Sequence, residues 1–457
     1  MVHQFKLRGL NIVLDVASGA VHSLDDLSYR MLAMLTPPLN KECPNEILRA
    51  FDCENRQEVM ECYDEIFSLY KDGVLFSDDM YQKYADLITL SPIKSMCLNV
   101  AHDCNLRCAY CFASTGDFGE GRKLMTEETG KRAIDFLLTH SGSRHNLELD
   151  FFGGEPLMNF DVVRAVVHYA RSQEKAYNKN FRFTITTNGL LLDDEKIDFI
   201  NREMSNVVLS LDGRSRVHDK MRPTANGTGS YDLVIEKFKK LVQTRGDKDY
   251  YARGTFTKHN LDFSEDVLSL YEQGFSNLSI EPVISDGDKE YAITQEDLPR
   301  IFEEYEQLAD ALLEKKLNGE DISFFHFIID LDQGPCAIKR LRGCSCGNEY
   351  VAVTPDGDIF PCHQFVGKEN WKIGNLYDPV LDQSKREPFC RTTIYDKEEC
   401  NRCWAKFYCS GGCNANNFQF EGDILRPYTI ACELEKKRLE CAIMLQAALK
   451  EEEKVVS

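Results

Sequence analysis

Between Asn99 and Phe112 the chain reads Asn-Val-Ala-His-Asp-Cys-Asn-Leu-Arg-Cys-Ala-Tyr-Cys-Phe, which sets Cys104, Cys108 and Cys111 in a C-x3-C-x2-C array. Three thiolates in so short a loop can hold three irons of a four-iron cluster and leave the fourth iron without a protein ligand. That open iron is the chemically useful feature, because a small molecule can chelate it through an amine and a carboxylate. Zinc is more often held by paired C-x2-C knuckles with four ligands, and this loop contains no fourth. A structural zinc loop or buried free thiols would be the plainer alternative.

A second cysteine system lies beyond residue 325. Cys344 and Cys346 precede Val351-Ala-Val-Thr-Pro-Asp-Gly357-Asp-Ile-Phe-Pro-Cys362, so that this part ends in G-x4-C. Cys400-x2-Cys403-x5-Cys409-x3-Cys413 follows, and then Cys432 after a gap. One C-x2-C arises readily by chance; this order of spacings beside a three-thiolate loop does not, and a zinc ribbon is the competing assignment. Cys43, Cys53, Cys62, Cys97, Cys390 and Cys441 match no motif and read as small buried hydrophobes or unremarkable thiols.

The first array resembles the cluster loop of the radical S-adenosylmethionine (SAM) superfamily, with Tyr110 in the aromatic position before the last cysteine. The second resembles, over all seven of its cysteine positions, the SPASM extension of superfamily members that act on peptides. The resemblance implies three 4Fe-4S clusters, one binding SAM and two auxiliary. Cys400, Cys403, Cys409 and Cys432 would surround the outer auxiliary cluster, and Cys344, Cys362 and Cys413 the inner one. Cys336 could supply a fourth inner ligand, and Cys346 could stand in for Cys344. Without a fourth ligand, the open iron could bind a substrate thiolate, since iron favours soft anionic sulfur.

Other motifs sit at the ends of apolar runs. Gly153-Gly154-Glu155-Pro156 could be a turn and nothing more. Placed directly after a buried strand, it resembles the superfamily's GGE motif, whose glycines let backbone approach the methionine part of SAM while the acid or backbone accepts its ammonium. Asn188 and Ser210 fall where the family contacts the ribose or carboxylate. Arg222, in His218-Asp219-Lys220-Met221-Arg222-Pro223, could grip the SAM carboxylate in bidentate fashion. Each of these three could also be an ordinary strand-end polar group.

These positions need a scaffold that brings strand ends together. From Met96 onward short apolar strands alternate with amphipathic helices, which argues for a parallel α/β sheet. Strands are expected at 96–101, 147–152, 181–187, 207–211, 251–257 and 277–283. Helices are expected from Thr126 as a cap through Leu138, and near 162–170, 266–273 and 298–317. Six β/α units make a partial barrel, whose chemistry belongs at the strand C-termini, where the three-cysteine loop, Gly153-Gly154-Glu155-Pro156, Asn188 and Ser210 lie.

Residues 1 to about 82 read as a separate small domain. Strands at 10–16 and 20–24 flank the turn Ala17-Ser18-Gly19, and a helix from Asp25 to Leu35 stops before Pro37-Pro38. Helices at 46–51 and 58–70 follow, and Asp72-Gly73-Val-Leu-Phe begins a closing β-wing. This arrangement resembles the winged-helix peptide-recognition element of ribosomal-peptide-modifying enzymes, which adds an extended leader peptide to a sheet edge. A DNA-binding winged helix or a plain cap are the alternatives; few basic residues lie in 58–70, against DNA. After a connector at 83–95, the fold class is α/β: a partial (β/α)6 barrel over 83–325, with this N-terminal domain before it and a cysteine-rich SPASM domain over 326–457.

Composition bounds the partners. Hydrophobic content of 43% and charged content of 28% in 457 residues describe an ordinary globular protein of two or three domains. No apolar run is long enough to span a bilayer, and the first residues lack the apolar core of a signal peptide, so a cytoplasmic protein is expected. A net charge of −20 repels phosphate backbones and anionic membranes, which excludes nucleic acid and membrane as expected partners. Eighteen cysteines in that compartment point to metal sites over disulfides.

The three units in this order resemble thioether-forming peptide maturases, in wording nearest those of the six-cysteine SCIFF peptides. The resemblance implies that a reduced cluster on Cys104, Cys108 and Cys111 cleaves SAM to a 5′-deoxyadenosyl radical. That radical removes hydrogen from the α-carbon of an acceptor residue in a cysteine-rich precursor peptide, and a peptide cysteine thiolate joins that carbon. The second electron leaves through the inner auxiliary cluster. An electron donor such as flavodoxin or ferredoxin is implied too. An anaerobic sulfatase maturase, oxidising cysteine or serine to formylglycine, would share barrel and clusters, and a metal-stabilised peptide-binding chaperone is the reading from another class.

Overall fold

The first strand of the molecule is one that the sequence reading did not contain. In the computed structural model, which describes residues 1–457 apart from Asp86, residues 333–336, Pro379 and Ser457, β1 (Val2–Leu7) pairs antiparallel with β2 (Leu10–Asp15). The turn between them is Arg8-Gly9, both left-handed at φ 51° and 76°, the backbone that a tight two-residue hairpin requires. β3 (Val21–Leu24) completes a sheet of order β1-β2-β3. Cys336, the spare inner ligand, lies outside the described residues.

Three helices follow: α1 (Asp26–Leu32), α2 (Asn45–Ala50) and α3 (Arg56–Lys71). Asp25 caps α1 by accepting from Ser28 N, and Asn55 caps α3 by accepting from Gln57 N. The expected wing is absent: 72–76 forms no strand. Gly73 and Phe76 are left-handed at φ 71° and 53°, which breaks an extended ladder. Leu75 is buried, Val74 O is bound by His22 Nε2 at 2.9 Å, and Ser77 N donates to Asp15 Oδ2 at 3.0 Å. Side chains close this unit where a strand was expected.

The N-terminal sheet is buried on both faces, as its alternation requires. Val13 packs with Met31, Tyr63 and Ile66 under the helices. Phe5, Leu7, Ile12 and Leu14 point the other way and belong to the core of the barrel. His3 stacks on Trp404 with ring centroids 3.8 Å apart and meets Glu440 at 3.0 Å. Residues expected to stand apart are thus built into the main body.

After the single turn α4 (Gln82–Ala85) come β4 (Ser95–His102), the short β5 (Lys123–Leu124), α5 (Glu127–His140), β6 (Asn146–Gly153), α6 (Phe160–Tyr177), β7 (Asn180–Thr187), α7 (Asp194–Glu203) and β8 (Asn206–Ser210). Then follow α8 (Ser215–Met221), α9 (Tyr231–Gln243), β9 (Asp249–Phe256), α10 (Phe263–Glu272), β10 (Asn277–Pro282), α11 (Leu298–Leu317) and β11 (Ser323–Phe324). All six expected barrel strands are present and run parallel in the order β4-β6-β7-β8-β9-β10, with β11 added beyond. Helices α7 and α9 were not read from the sequence. Strand alternation sends Tyr250, Ala252 and Phe256 into the outer core and leaves Tyr251, Arg253 and Thr255 facing the barrel interior.

The C-terminal region continues this sheet. Past α12 (Ala337–Arg342), β12 (Tyr350–Val353) lies parallel to β4, with Tyr350 opposite Ser95 and Val353 opposite Leu98. β13 (Asp358–Phe360) and β14 (Gly374–Asn375) extend it antiparallel. β4 is therefore paired along both edges, and all eight of its residues are buried. The remaining helices are α13 (Gln383–Arg391), α14 (Glu398–Asn401), α15 (Lys406–Cys409), α16 (Asn414–Glu421) and α17 (Thr429–Val456), the last packed along α11.

Because Ile12 is fully buried against the barrel core, Ile12→Ala should cost about 2–5 kcal/mol. Urea unfolding followed by circular dichroism should show one earlier transition. A separate first transition confined to the N-terminal unit would contradict the shared core.

Candidate functional site

The three-thiol loop leaves the C-terminal end of β4, and Cys104, Cys108 and Cys111 are all half-buried in it. Arg107 braces the turn by donating to Cys104 O and Leu106 O at 2.6 and 2.7 Å. Backbone bonds from Arg107 N to Pro223 O and Ala109 N to Met221 O, at 2.8 and 2.9 Å, stitch the loop to the segment after α8. Gly116, at φ 100°, closes over it; a Cβ there would stand 2.7 Å from Cys104 Cβ and 2.9 Å from Gly154 Cα. Nothing in the sequence reading marked Gly116.

One buried carboxylate organises the surroundings. Asp212, fully buried after β8, accepts from Tyr110 Oη at 2.6 Å on Oδ2 and from Thr255 N at 2.9 Å on Oδ1, and forms an ion pair with Arg222, whose Nε lies 3.0 Å from Oδ2. The Arg222 guanidinium lies 5.4 Å over the Tyr110 ring and faces Cys108. Arg222, expected to grip a SAM carboxylate, is thus held by Asp212 against the cluster loop. Asp212 was given no role from the sequence; a carboxylate directly after a barrel strand was the available signal.

Glu155 also departs from expectation. It is 1% exposed, and its carboxylate accepts from Leu157 N at 3.0 Å, Thr187 Oγ1 at 2.8 Å and Asn188 N at 2.8 Å. Those donors tie the end of β6 to the end of β7, where an ammonium acceptor was expected. Burial raises its pKa to about 7 despite the three donors. Gly153 and Gly154 are required by backbone against backbone: a Cβ on either would lie 2.2 Å from Ala101 O or Asp103 O. Asn188 turns its amide to the loop as well, with Nδ2 2.8 Å from Asn105 Oδ1 and 3.6 Å from Cys104 Sγ. Ser210 ends β8 opposite Arg253, half-buried.

The later cysteines form two further groups. Cys400, Cys403, Cys409 and Cys432 line one cavity of about 210 Å3 together with Lys406, Gly411 and Lys436. The four thiols around it suit a cubane cluster. In the other group the Cys346 thiol donates to Cys362, and Cys344 and Cys413 are nearby. Cys346 thus joins Cys344, Cys362 and Cys413, where three were assigned. Among the described residues no three such side chains converge as ligands of a single metal ion do.

Backbone N–H groups aim at these sulfurs as they would at thiolates. Leu106 N lies 3.4 Å from Cys104 Sγ. The backbone N–H groups of Gln364 and Phe365 lie near Cys362, those of Gly411 and Gly412 near Cys409, those of Ala415 and Asn416 near Cys413, and those of Cys346 and Asn414 near Cys344, each favouring the thiolate. Burial pushes the unliganded thiols up, Cys104 to about 12 and Cys108, Cys413 to about 11, so these donors find their use when a metal has displaced the proton. The donor set fits iron–sulfur clusters in all three places. Of the unassigned thiols, Cys62, Cys97, Cys390 and Cys441 are buried as expected, while Cys53 is exposed.

The space between the first and second groups is aromatic and charged. Phe112 lies 5.6 Å from the His363 ring and Phe152 5.3 Å from it, while Cys111, Cys346, Cys362 and Cys413 share one buried cluster. Inside the barrel, burial lifts Asp150 to about 6, and Arg253 forms an ion pair with Glu281. Periodicity could have marked these inward positions once the strands were in register.

Asp212→Asn leaves Arg222 buried without its counter-ion, which should cost about 3–5 kcal/mol. Denaturant unfolding should record that loss, and Asp212→Ala should not be milder. Stability unchanged from the parent would remove Asp212 from the centre of the loop.

Residues 98–250 match the model of the radical SAM superfamily, and residues 344–404 match that of the SPASM iron–sulfur cluster-binding domain. A cysteine-type anaerobic sulfatase-maturating enzyme of Clostridium novyi is 26% identical over 335 residues, 69% of this chain and 86% of that one. An uncharacterized protein of Methanocaldococcus jannaschii is 33% identical over 272 residues, 56% of this chain and 87% of its own. Among solved structures, anSMEcpe with bound AdoMet and Cp18Cys peptide superposes with a TM-score of 0.65 at 22% identity, covering 78% of this chain and 99% of that one. Streptococcus suis SuiB bound to its precursor peptide SuiA superposes at 0.53 and 17% identity, covering 92% and 95%. With its loop of three cysteines at the end of β4 and its cysteine-rich extension of the same sheet, the chain belongs to the radical SAM superfamily and carries a SPASM domain.

Proposed function

We propose that this radical SAM enzyme is a peptide maturase that joins a cysteine sulfur to an acceptor α-carbon in a ribosomally made, cysteine-rich precursor. The observation that carries this reading is the N-terminal unit of residues 1–82, whose β3 pairs, among the described residues, with β2 alone and offers its second edge to an added strand. The likeness to SuiB, solved with its precursor peptide, extends over 92% of the chain, whereas the likeness to anSMEcpe extends over 78%. Sulfatase maturation is the second reading, favoured by the 26% identity to the Clostridium novyi enzyme.

When bound, the clusters and SAM supply one-electron reduction and hydrogen-atom abstraction. This chain's residues would do the rest. Cys104, Cys108 and Cys111 hold the SAM-binding cluster, and Tyr110, Gly153, Gly154, Glu155, Asn188, Ser210 and Arg222 frame SAM beside it. Asp212 keeps Arg222 and Tyr110 in place, and Glu155 keeps two strand ends in register. Phe112, Phe152 and His363 form an aromatic wall between the loop and Cys362, across which the peptide would lie. The outer group takes Cys400, Cys403, Cys409 and Cys432; the inner takes Cys344, Cys362 and Cys413 with Cys346 as its fourth thiol. A ferredoxin or flavodoxin would deliver electrons.

The test is mass spectrometry on a cysteine-rich peptide with its leader, incubated anaerobically with iron-replete enzyme, SAM and a strong reductant, then capped with an alkylating agent. Loss of two hydrogens together with one fewer capped thiol is expected. Exchange of a cysteine sulfur for oxygen would favour sulfatase-type chemistry, and no 5′-deoxyadenosine at full iron content would overturn the enzymatic reading. In a second measurement, Cys104→Ala/Cys108→Ala/Cys111→Ala should lose about four irons per chain, one cluster's worth, and SAM binding with them. SAM binding retained would remove this loop from the site.

A further inference from the structure

Lys397 immediately precedes α14 and is 3% exposed. Its ammonium donates to Gly411 O at 2.7 Å and to Asn414 Oδ1 at 3.2 Å. No carboxylate among the described residues pairs with it. Lys406, buried nearly as deeply at 7%, is paired with Asp79 Oδ2 at 2.8 Å. An ammonium removed from water without a counter-ion loses its proton or is compensated by another anion. Burial pushes the Lys397 pKa down, and the thiols of Cys400 and Cys409 in the outer group and of Cys344 and Cys413 in the inner group act against it.

The hydrogen bonds place the ammonium between those groups. Gly411 lies in the loop that joins Cys409 to Cys413, one thiol from each group, and Asn414 follows Cys413. Ser410, Gly411 and Gly412 are left-handed in succession at φ 60°, 92° and 72°. That backbone turns Gly411 and Gly412 N–H toward Cys409 and leaves Gly411 O for Lys397. Lys397 is therefore a single cation that faces both thiol sets and fastens the segment between them.

A cluster bound by four thiolates carries net negative charge and gains more on reduction, and net charge with hydrogen bonding sets its potential. We propose that Lys397 is a fixed positive charge shared by the two auxiliary clusters, raising the reduction potential of both so that they accept the electron leaving the peptide. It touches neither substrate nor reacting atoms and is a positioning residue that acts through the clusters. The inference rests on the reading that both thiol groups hold clusters.

The experiment is an anaerobic redox titration followed by electron paramagnetic resonance. It uses the full chain carrying Cys104→Ala, Cys108→Ala and Cys111→Ala, so that only auxiliary clusters contribute. Lys397→Met removes the charge, Lys397→Gln removes it while keeping a donor for Gly411 O, and Lys397→Arg keeps it. Both neutral variants should retain about eight irons per chain, two clusters' worth, yet shift both midpoints negative. At the parent's midpoint the oxidised-to-reduced ratio should rise about tenfold, or ~59 mV for a one-electron couple. Lys397→Arg should stay near the parent. Full iron with unmoved midpoints, or the same shift in Lys397→Arg, would overturn the proposal. If the neutral variants fail to take up iron while Lys397→Arg succeeds, the charge is supported; if all three fail, shape and not charge is at work and the proposal falls. Fewer than about eight irons before any change at Lys397 would instead overturn the two-cluster reading itself.

Discussion

The Asp212 carboxylate is the interaction on which the catalytic end of this molecule depends. A fully buried anion is tolerable only when paired and hydrogen-bonded, and Asp212 meets that demand with Arg222, Tyr110 and Thr255 N. Each partner belongs to a different piece of chain. Tyr110 sits inside the three-cysteine loop, Arg222 closes α8, and Thr255 is near the end of β9. The loop is short and has no secondary structure of its own, so its thiols hold position because the carboxylate leaves their neighbours no alternative.

The same economy is visible at the auxiliary thiols. Their sulfurs are surrounded by backbone N–H groups that only unusual backbone can aim, such as the left-handed run at Ser410, Gly411 and Gly412. A thiol needs few such donors, whereas a thiolate uses them fully. The local structure is therefore built for the deprotonated, metal-bound state, and Lys397 adds a buried charge of the sign which that state calls for.

Sheet continuity explains how separate sequence regions act as one body. A barrel strand with an open edge would present unpaired N–H and C=O groups, and β12 from the C-terminal domain covers β4 on that side. The strand that launches the SAM-type loop is thereby a neighbour of the strand that leads to Cys362, which brings Cys111 and Cys362 into one buried cluster. On the far side, the N-terminal sheet gives Phe5, Leu7, Ile12 and Leu14 to the barrel core, so a unit that could grip a peptide is rigidly tied to the chemistry.

What the sequence determined by itself was whatever is encoded locally. Cysteine spacing marks the ligand sets, because a cluster demands thiolates at short, fixed intervals. Alternating apolar strands and amphipathic helices mark the six barrel units, because periodicity follows directly from backbone geometry. Local signals failed where side chains from distant segments decide. β1 was missed since Phe5 and Leu7 are buried in the distant barrel core and β1 packs against α17, and the wing at 72–76 dissolved because Asp15 and His22 hold that segment in place of a strand. Glu155 follows β6 and Arg222 closes α8, but their partners, Thr187 with Asn188 and Asp212, are fixed only by register across the sheet. The role of Lys397 is of the same kind: lysine in a sequence reads as solvated surface, and only tertiary packing shows a cation enclosed between two sets of thiols.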